Sequence, residues 1–242
     1  SPCYHFFTIH DKDIMEGMES VVGRPSLQYV KERIFGLYVI IDPNLTGGRN
    51  PIEIAKQTLA GGANIIQLRA KNQPDSLMLS LAQEIANICN DYGSLFIVND
   101  RVDIAIISRA HGVHLGLDDL PLSDARTILK HNQILGCSTH SLEEALAAKI
   151  NLPDYIAVGA MYPTTAKEQP IVGGPPLLRK IKSLIDLPIV AIGGITQENA
   201  GTVIQAGADA ICVISAVGLA TDPKNATEKL RNSIRTAGGK TE

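Results

Sequence analysis

Eight short apolar segments recur along this chain, and each ends abruptly in glycine, hydroxyl or charged residues. The segments are continuously apolar rather than alternating, which is typical of parallel strands covered on both faces. Because the carboxyl ends of such strands would gather at one face, the polar residues that follow them are candidates for an active site. The eight segments comprise residues 36–42, 65–71, 95–100, 112–116, 134–138, 155–159, 189–194 and 210–215.

Longer amphipathic stretches follow the apolar segments and predict one helix after each strand. Eight strand–helix units in roughly 200 residues predict an α/β fold, a single (β/α)8 TIM barrel. An open, doubly wound sheet is the alternative, but the first unit lacks the Gly-x-Gly-x-x-Gly of a dinucleotide-binding fold. The predicted helices comprise residues 52–59, 75–91, 102–108, 122–130, 141–149, 177–185, 198–206 and 226–235.

The chain divides into three predicted parts. Residues 34–236 form the catalytic barrel, and residues 1–33 form an N-terminal, helical extension that carries no chemical motif. Within the extension, apolar residues from Met15 to Val22 predict one short helix, and residues 27–34 predict a second that caps the bottom of the barrel. Residues 237–242 are predicted to be a flexible tail.

Composition and charge exclude several classes of protein. The net charge of −3, from 22 basic and 25 acidic residues, gives no overall field that would recruit nucleic acid or an anionic membrane. No apolar stretch approaches the roughly 20 residues of a membrane span, and the first residues do not resemble a signal peptide. Cysteines without a Cys-x-x-Cys pair indicate reduced core thiols in a cytoplasmic protein. They are Cys3, Cys89, Cys137 and Cys212.

The second segment carries Gln67, Arg69 and Lys71 at alternate positions, so the three side chains share one face of a strand. In a barrel that face points inward, where two cations are costly without an anion to bind. A planar guanidinium beside an ammonium suits phosphate oxygens. The alternative is that Arg69 and Lys71 point to solvent and that Gln67 is buried with its hydrogen bonds satisfied.

Carboxylates follow the third and fourth segments. Asn99 and Asp100 end the third, and Asp118 and Asp119 lie a few residues beyond the fourth. One carboxylate from each of two adjacent strand ends predicts a Mg²⁺ site, because Mg²⁺ takes one or two protein carboxylates together with substrate phosphates and water. For Asp118 and Asp119, the alternative is a helix cap before Leu120.

The remaining segments end in hydroxyls, glycines and further candidate groups. Ser138 and His140 follow the fifth strand, and a loop that ends at Lys167 follows the sixth. Glycines after the seventh strand and the Ile214-Ser215 pair after the eighth predict a phosphate site, which barrels often form with backbone N–H groups of these two loops. Taken singly, His140 is also read as structural, Lys167 as solvated and the glycines as a tight turn.

The ordered motifs resemble the thiamine phosphate synthase family over residues 37–235. Each motif alone is weak, but the ordered set is highly specific. The motifs are Gln-x-Arg-x-Lys at 67–71, Asn-Asp at 99–100, Gly-x-His-Leu-Gly-x-x-Asp at 112–119, Gly-x-Ser-x-His at 136–140, Tyr-Pro-Thr-x-x-Lys at 162–167, Ile-Gly-Gly-Ile at 192–195 and Ile-Ser at 214–215.

The resemblance implies a Mg²⁺-dependent transferase that joins hydroxymethylpyrimidine diphosphate to a (carboxy)thiazole phosphate, giving thiamine phosphate and diphosphate. The aminopyrimidine ring would delocalise a methylene cation, as in an SN1-like displacement. The partners would be two small phosphorylated substrates, and the family is usually dimeric, so a homodimer is expected.

The resemblance also implies a role for each matching residue. The pyrimidine diphosphate would contact Gln67, Leu68, Arg69, Ala70, Lys71, Asn99, Ser138 and Lys167, of which Arg69, Lys71, Ser138 and Lys167 would be catalytic. Mg²⁺ would bind Asp100 and Asp119. The thiazole phosphate would contact Thr164, Thr165, Ala166, Gly194, Ile214 and Ser215.

Two positions depart from the family pattern. Leu117 stands where the family usually has Gln, and Ala166 stands where it usually has a second Thr. Ala166 removes a hydroxyl that would contact the thiazole phosphate, while neither change touches the diphosphate or metal groups.

Two other functions compete with the synthase. A thiazole tautomerase resembles the synthase in fold, uses a histidine at the position of His140, and tends to lose the aspartate after the third strand; Asp100 and Asp119 are both present here, which favours the synthase. A phosphate-binding barrel without turnover, or a domain that works only within a larger protein, is the alternative from another class.

Overall fold

The structure, a computed structural model, describes residues 23–164 and 171–242. Its centre is a closed barrel of eight parallel strands in sequence order, in which β8 pairs with β1 through Gly36 and Ala210. Closure confirms the predicted (β/α)8 barrel and rules out the open sheet. The strands are β1 (Gly36–Ile41), β2 (Ile65–Leu68), β3 (Leu95–Asn99), β4 (Gly112–Leu115), β5 (Ile134–Thr139), β6 (Tyr155–Val158), β7 (Ile189–Ile192) and β8 (Ala210–Val213).

Helices surround the barrel, and each of the eight helices predicted to follow a strand is present with at least one end shifted. The predicted helix α1 precedes the barrel, and a short unpredicted helix, α9, follows β8 directly. The helices are α1 (Leu27–Arg33), α2 (Pro51–Ala60), α3 (Asp75–Tyr92), α4 (Val102–Ile107), α5 (Leu122–Ile128), α6 (Leu142–Ile150), α7 (Gly174–Lys182), α8 (Ala200–Gln205), α9 (Ser215–Gly218) and α10 (Pro223–Thr236).

Local chemistry explains where these helices begin and end. Pro51 starts α2 behind an Asn50 side chain that caps the Ile52 N–H, as proline suits a first helical turn. Ser141 caps α6 by accepting from the Glu144 N–H at 3.1 Å. Helix α7 begins at Gly174 rather than at the predicted residue 177, because its two prolines form the first turn and not a loop.

The strands separate two apolar clusters. Outward side chains such as Ile66 and Leu68 pack against the helices, whereas inward side chains such as Ile65 and Ile97 fill the barrel interior. This alternation along each strand places Gln67 on the inward face, as its parity with Ile65 predicts.

Helix α1 closes the bottom of the barrel. Val30 and Ile34 are buried in the interior cluster beside Ile65, Leu95 and Ile134, which lie at the amino ends of their strands. This is the capping helix predicted over residues 27–34. The predicted helix from Met15 to Val22 lies outside the described residues, and the domain boundary at residue 33 remains a prediction.

The C-terminal residues lie against the barrel, where a flexible tail was predicted. The Thr241 carbonyl accepts hydrogen bonds from Asn64 at 3.2 Å and Arg231 at 3.3 Å. The Lys240 ammonium lies 4.1 Å from the centroid of the Phe35 ring. Asn64 and Phe35 come from distant parts of the chain, so the composition of the tail alone did not reveal these contacts.

The cysteines that the structure describes lie in the core, as predicted. Cys89, Cys137 and Cys212 are buried, and burial raises the pKa of Cys89 and of Cys137 to about 12. Cys3 lies outside the described residues. Within residues 23–164 and 171–242, no helix combines the length and the apolar character needed to cross a membrane.

Candidate active site

A cavity enters the barrel from its carboxyl-terminal mouth. Polar groups from β1, β2, β4, β5 and β6 line it together with Ile40, Val190 and Cys212. Of the predicted strand-end residues, Gln67, Ser138 and His140 line this cavity. The polar lining residues are Tyr38, Gln67, His114, Ser138, Thr139, His140 and Tyr155.

Arg69 is fixed at the mouth by an aspartate to which the sequence reasoning assigned no role. Its Nη1 donates to Asp42 Oδ2 at 2.5 Å, and Asp42 Oδ1 accepts from the Asn44 N–H at 2.9 Å. Asp42 is 2% exposed. The buried Nε of Arg69 has no hydrogen-bond partner among the described residues. The guanidinium is therefore oriented, and it keeps donor capacity for an anion.

The side chains of Leu68 and Ala70, in the same motif as Arg69, point away from the barrel interior. Their side chains are buried in the outer cluster, between the strands and the helices. Only their backbone atoms are placed to meet a ligand at the mouth, which agrees with the alternation of the strand.

Lys71 and Asp100 meet across the ends of β2 and β3. Lys71 Nζ lies 3.0 Å from Asp100 Oδ2. Asp100 adopts a left-handed backbone with φ of 64°, and its N–H donates to the His114 carbonyl at 2.9 Å. A non-glycine residue in this region is uncommon and is typical of functional sites, although aspartate tolerates it better than most residues.

Asp119 places a second carboxylate beside Asp100. Its Oδ2 accepts from the Gly116 N–H at 2.6 Å. Burial, and then the hydrogen bond and charge of Asp119, raise the pKa of Asp100, while Lys71 opposes this rise. Two facing carboxylates at an open mouth offer the oxygen ligands that Mg²⁺ prefers, and a divalent cation would relieve their repulsion. The donor set therefore fits the metal.

The helix-cap alternative for Asp118 and Asp119 is wrong. Helix α5 follows Pro121, and no side chain within the described part of the chain caps its first turn. Asp118 is exposed, while Asp119 is half-buried. Asn99, at the end of β3, is 5% exposed and lines a groove together with Lys71 and Asp100.

A chain of hydrogen bonds crosses the barrel beneath the mouth. Gln67 Nε2 donates to the Tyr38 hydroxyl at 2.6 Å, which lies 3.1 Å from the Tyr155 hydroxyl. The Tyr155 hydroxyl lies 2.9 Å from His114 Nδ1, and His114 Nε2 lies 2.9 Å from Ser138 Oγ. Sequence reasoning missed Tyr38 and Tyr155, because each sits within an apolar segment. The available signal was the alternation along each strand, which points both tyrosine side chains into the barrel.

His140 lies at the edge of the same cavity. Its Nδ1 is 3.1 Å from Glu144 Oε2, which also accepts from the His140 N–H at 2.6 Å. The histidine is thus held by the first turn of α6, and the structural reading of this residue has direct support.

The glycines after β7 lie tightly against the loop after β6. Gly193 and Gly194 have φ values of 104° and 62°, and the Tyr162 N–H donates to the Gly193 carbonyl at 2.9 Å. This contact brings Thr164 and Gly194 into neighbouring loops. Thr165, Ala166 and Lys167 lie outside the described residues, so their predicted roles remain predictions.

Replacing Gly194 with alanine is expected to destabilise the protein more than the same replacement at Gly93. A Cβ at Gly194 would lie 2.6 Å from the Pro163 carbonyl oxygen and 2.7 Å from that of Tyr162. Gly93 has a similar φ of 68°, but no atom of the described residues lies within 4 Å of its added Cβ. We expect a loss of about 3 kcal/mol for Gly194→Ala and about 1 kcal/mol for Gly93→Ala, measured by urea unfolding. Equal losses would contradict the close packing of the two loops.

Ile214 and Ser215 lie where β8 passes into the short helix α9. Ser215 is exposed and begins that helix. Arg49 holds the other end of α9, because its guanidinium donates to the Gly218 carbonyl at 2.7 Å and the Ala220 carbonyl at 2.8 Å. Leu117, one of the two departures, is 60% exposed beside the mouth.

The fold and the mouth together define a class of protein. A (β/α)8 barrel whose carboxyl-terminal face carries oriented cations, paired carboxylates and glycine-rich turns is typical of enzymes that act on phosphorylated substrates.

Comparison with known proteins narrows this class to a family. The model of the thiamine monophosphate synthase family matches residues 37–217. The thiamine-phosphate synthase of Methanospirillum hungatei is 48% identical over 196 residues, covering 80% of this chain and 95% of that protein. That of Pyrococcus horikoshii is 46% identical, with 82% and 94% covered. The chain belongs to the thiamine monophosphate synthase family.

Solved structures agree. Thiamine phosphate pyrophosphorylase from Pyrococcus furiosus matches with a TM-score of 0.80 at 41% identity, covering 86% of this chain and 98% of that one. The geranylgeranylglyceryl phosphate synthase of Thermoplasma acidophilum, at 18% identity and a TM-score of 0.65, shares the fold. The family and the transferase class predicted from the motifs are confirmed.

Proposed function

We propose that this chain joins hydroxymethylpyrimidine diphosphate to a thiazole phosphate, releasing diphosphate and forming thiamine phosphate. The observation that carries the proposal is the pairing of Asp100 with Asp119 beside Lys71. Carboxylates that face each other next to a lysine form a site for a diphosphate that brings a divalent cation.

Each charged residue of the mouth has a place in the reaction. Arg69, held by Asp42, and Lys71 bind the diphosphate and stabilise the charge that develops as it leaves. Mg²⁺, bound by Asp100 and Asp119, would supply further positive charge to the departing group. Lys167 is proposed to act at the same diphosphate from the loop after β6.

The bond changes require no strong base. The carbon–oxygen bond to the diphosphate breaks, and its electron pair leaves with the diphosphate. The aminopyrimidine ring then delocalises the methylene cation until the thiazole nitrogen donates its lone pair to form the carbon–nitrogen bond. Gln67 and Ser138 line the cavity that would hold the ring, and orientation of the two substrates supplies much of the remaining rate.

The thiazole phosphate is proposed to lie across the loops after β6, β7 and β8. Thr164, Gly194, Ile214 and Ser215 are its proposed contacts, and the close approach of the Gly194 loop to residues 162 and 163 supports this grouping. The proposed parts for Thr165 and Ala166 rest on the family motif.

A coupling assay tests the proposed function. With Mg²⁺ and both substrates, the purified chain is expected to release diphosphate and form thiamine phosphate, and to release little diphosphate when the thiazole phosphate is omitted. Aromatisation of a thiazole tautomer without coupling would instead identify a tautomerase. Binding of either substrate without turnover would identify a phosphate-binding barrel.

A homodimer and a cytoplasmic location are the remaining parts of the proposal. Sedimentation equilibrium is expected to give twice the mass of the chain. A monomer with full coupling activity would contradict the dimer without affecting the proposed chemistry.

A further inference from the structure

The hydrogen-bond chain inside the barrel has a direction, and this direction decides what the cavity offers a ligand. Tyr38 accepts from Gln67 Nε2, so its single proton is left for the Tyr155 hydroxyl at 3.1 Å. A Tyr155 hydroxyl that accepts from Tyr38 would then direct its own proton to His114 Nδ1, which lies 2.9 Å away. A neutral His114 then carries its proton on Nε2 and donates it to Ser138 Oγ at 2.9 Å.

Both tyrosines are able to act as donors throughout this chain. Burial is the first cause that raises the pKa of Tyr38 and of Tyr155, and it holds both hydroxyls in their protonated form. The two rings are in contact, with centroids 6.4 Å apart, and the His114 ring stacks on Tyr155 at 5.6 Å. The chain is therefore fixed by packing as well as by hydrogen bonds.

The two ends of the chain present different groups to the cavity. At one end, Gln67 is 2% exposed and its Oε1 has no hydrogen-bond partner among the described residues. At the other end, Ser138 Oγ accepts from His114, so its own proton is available to a ligand. The cavity thus offers an acceptor at Gln67 and a donor at Ser138.

The reverse direction is less favourable. It would turn the Gln67 amide, so that Tyr38 donates to Oε1 and both N–H groups lie where Oε1 now has no partner. In that orientation neither N–H of the Gln67 amide reaches Tyr38, whereas in the observed one an N–H is bonded and Oε1 keeps its lone pairs for a ligand. A buried N–H without an acceptor is less tolerated than an unpaired carbonyl oxygen.

We propose that Tyr38, Tyr155 and His114 are positioning residues that set this direction, so that the subsite selects a ring with an amine toward Gln67 and an acceptor toward Ser138. The identity of that ring as an aminopyrimidine rests on the proposed function. The direction itself belongs to the free protein and is measurable without substrate.

The first test measures the His114 tautomer by ¹⁵N NMR on the full chain without ligands, with the His114 signals assigned by their loss in His114→Gln. We expect the proton on Nε2. A proton on Nδ1 would overturn the proposal whatever the enzyme catalyses, and this outcome is separate from any failure of the coupling assay. The tautomer is measured on unmodified protein, and His114→Gln serves only to assign the His114 signals.

The second test breaks the chain with Tyr155→Phe, which keeps the ring and removes the hydroxyl. Wild-type protein is expected to bind the aminopyrimidine diphosphate roughly tenfold more tightly than an analogue with a methyl group in place of the amine. In Tyr155→Phe this preference should fall towards unity, and the Nδ1–H tautomer of His114 should appear.

Tyr92→Phe is the matched control, because Tyr92 is 52% exposed at the end of α3. It should keep both the preference and the tautomer. The contradicting result is a folded Tyr155→Phe protein that binds both ligands more weakly by the same factor and retains the Nε2–H tautomer of His114. It would show that Tyr155 only supports the core.

Discussion

Asp100→Asn is expected to lower the rate of coupling roughly a thousandfold, which corresponds to about 4 kcal/mol of transition-state stabilisation. The change removes one of the two facing carboxylates while keeping a residue that tolerates the φ of 64° at this position. The measurement is kcat/KM for the pyrimidine diphosphate at saturating Mg²⁺, with Mg²⁺ affinity followed by calorimetry.

Stability should not fall with activity in this variant. The pKa of Asp100 is raised in the folded protein, first by burial and then by Asp119. Above the unfolded pKa its ionised form is therefore disfavoured by folding, and removing the charge leaves the free energy of unfolding at neutral pH unchanged or larger. The lost contact with Lys71, which is 48% exposed, is worth little.

Asp118→Asn serves as the matched control, since Asp118 is the exposed neighbour of the second carboxylate. It should retain wild-type coupling and Mg²⁺ affinity. Full activity in Asp100→Asn, or an equal loss in Asp118→Asn, would remove the carboxylate pair from the proposed metal site.

Much of the fold follows from periodicity in the sequence. Continuous apolar segments predicted all eight strands, and their spacing predicted the helices to within a few residues. The start of α7 and the docked C-terminal residues differ, because both depend on what a segment contacts. Lys240 meets Phe35 across the barrel bottom, a contact between residues about 200 positions apart that no local pattern encodes.

The residues of the candidate site also fall into two groups, those that the sequence revealed and those that needed the structure. Side chains that bear charge at a strand end, such as Arg69 and Asp100, stand out against an apolar segment. Tyr38 and Tyr155 do not, because a tyrosine in such a segment reads as core until the hydroxyl is placed beside another polar group. Asp42 was visible at the end of β1, but its role depends on the distance to Arg69, which only the closed barrel supplies.

That distance explains why Asp42 carries no ligand of its own in the proposed reaction. A carboxylate that is 2% exposed beside an anion site would repel the substrate if it were unpaired. Bound to Arg69 and to the Asn44 N–H, it neutralises part of the cation and fixes the plane of the guanidinium. Asp42 therefore weakens the attraction between Arg69 and the substrate anion, but it fixes the orientation of the guanidinium.

Arg69→Lys tests this geometry with the charge preserved. We expect kcat/KM for the pyrimidine diphosphate to fall roughly a hundredfold, because an ammonium cannot bind Asp42 and two phosphate oxygens with the fixed fork of a guanidinium. Asp42 keeps a cationic neighbour, so the folded state should survive, which circular dichroism and thermal unfolding check. Arg235→Lys, at the end of α10 with one exposed bond to Asn232, is the control and should be unchanged.

Asp42→Asn completes the test as a double-mutant cycle with Arg69→Lys. Alone, it should raise KM for the pyrimidine diphosphate about tenfold, since Arg69 loses the carboxylate that orients it. Combined with Arg69→Lys it should cost little more than Arg69→Lys alone, because the fork that Asp42 positions is already absent. Additive losses in the double variant would mean that Asp42 acts independently of Arg69, and that the orientation of the guanidinium is not what the buried carboxylate provides.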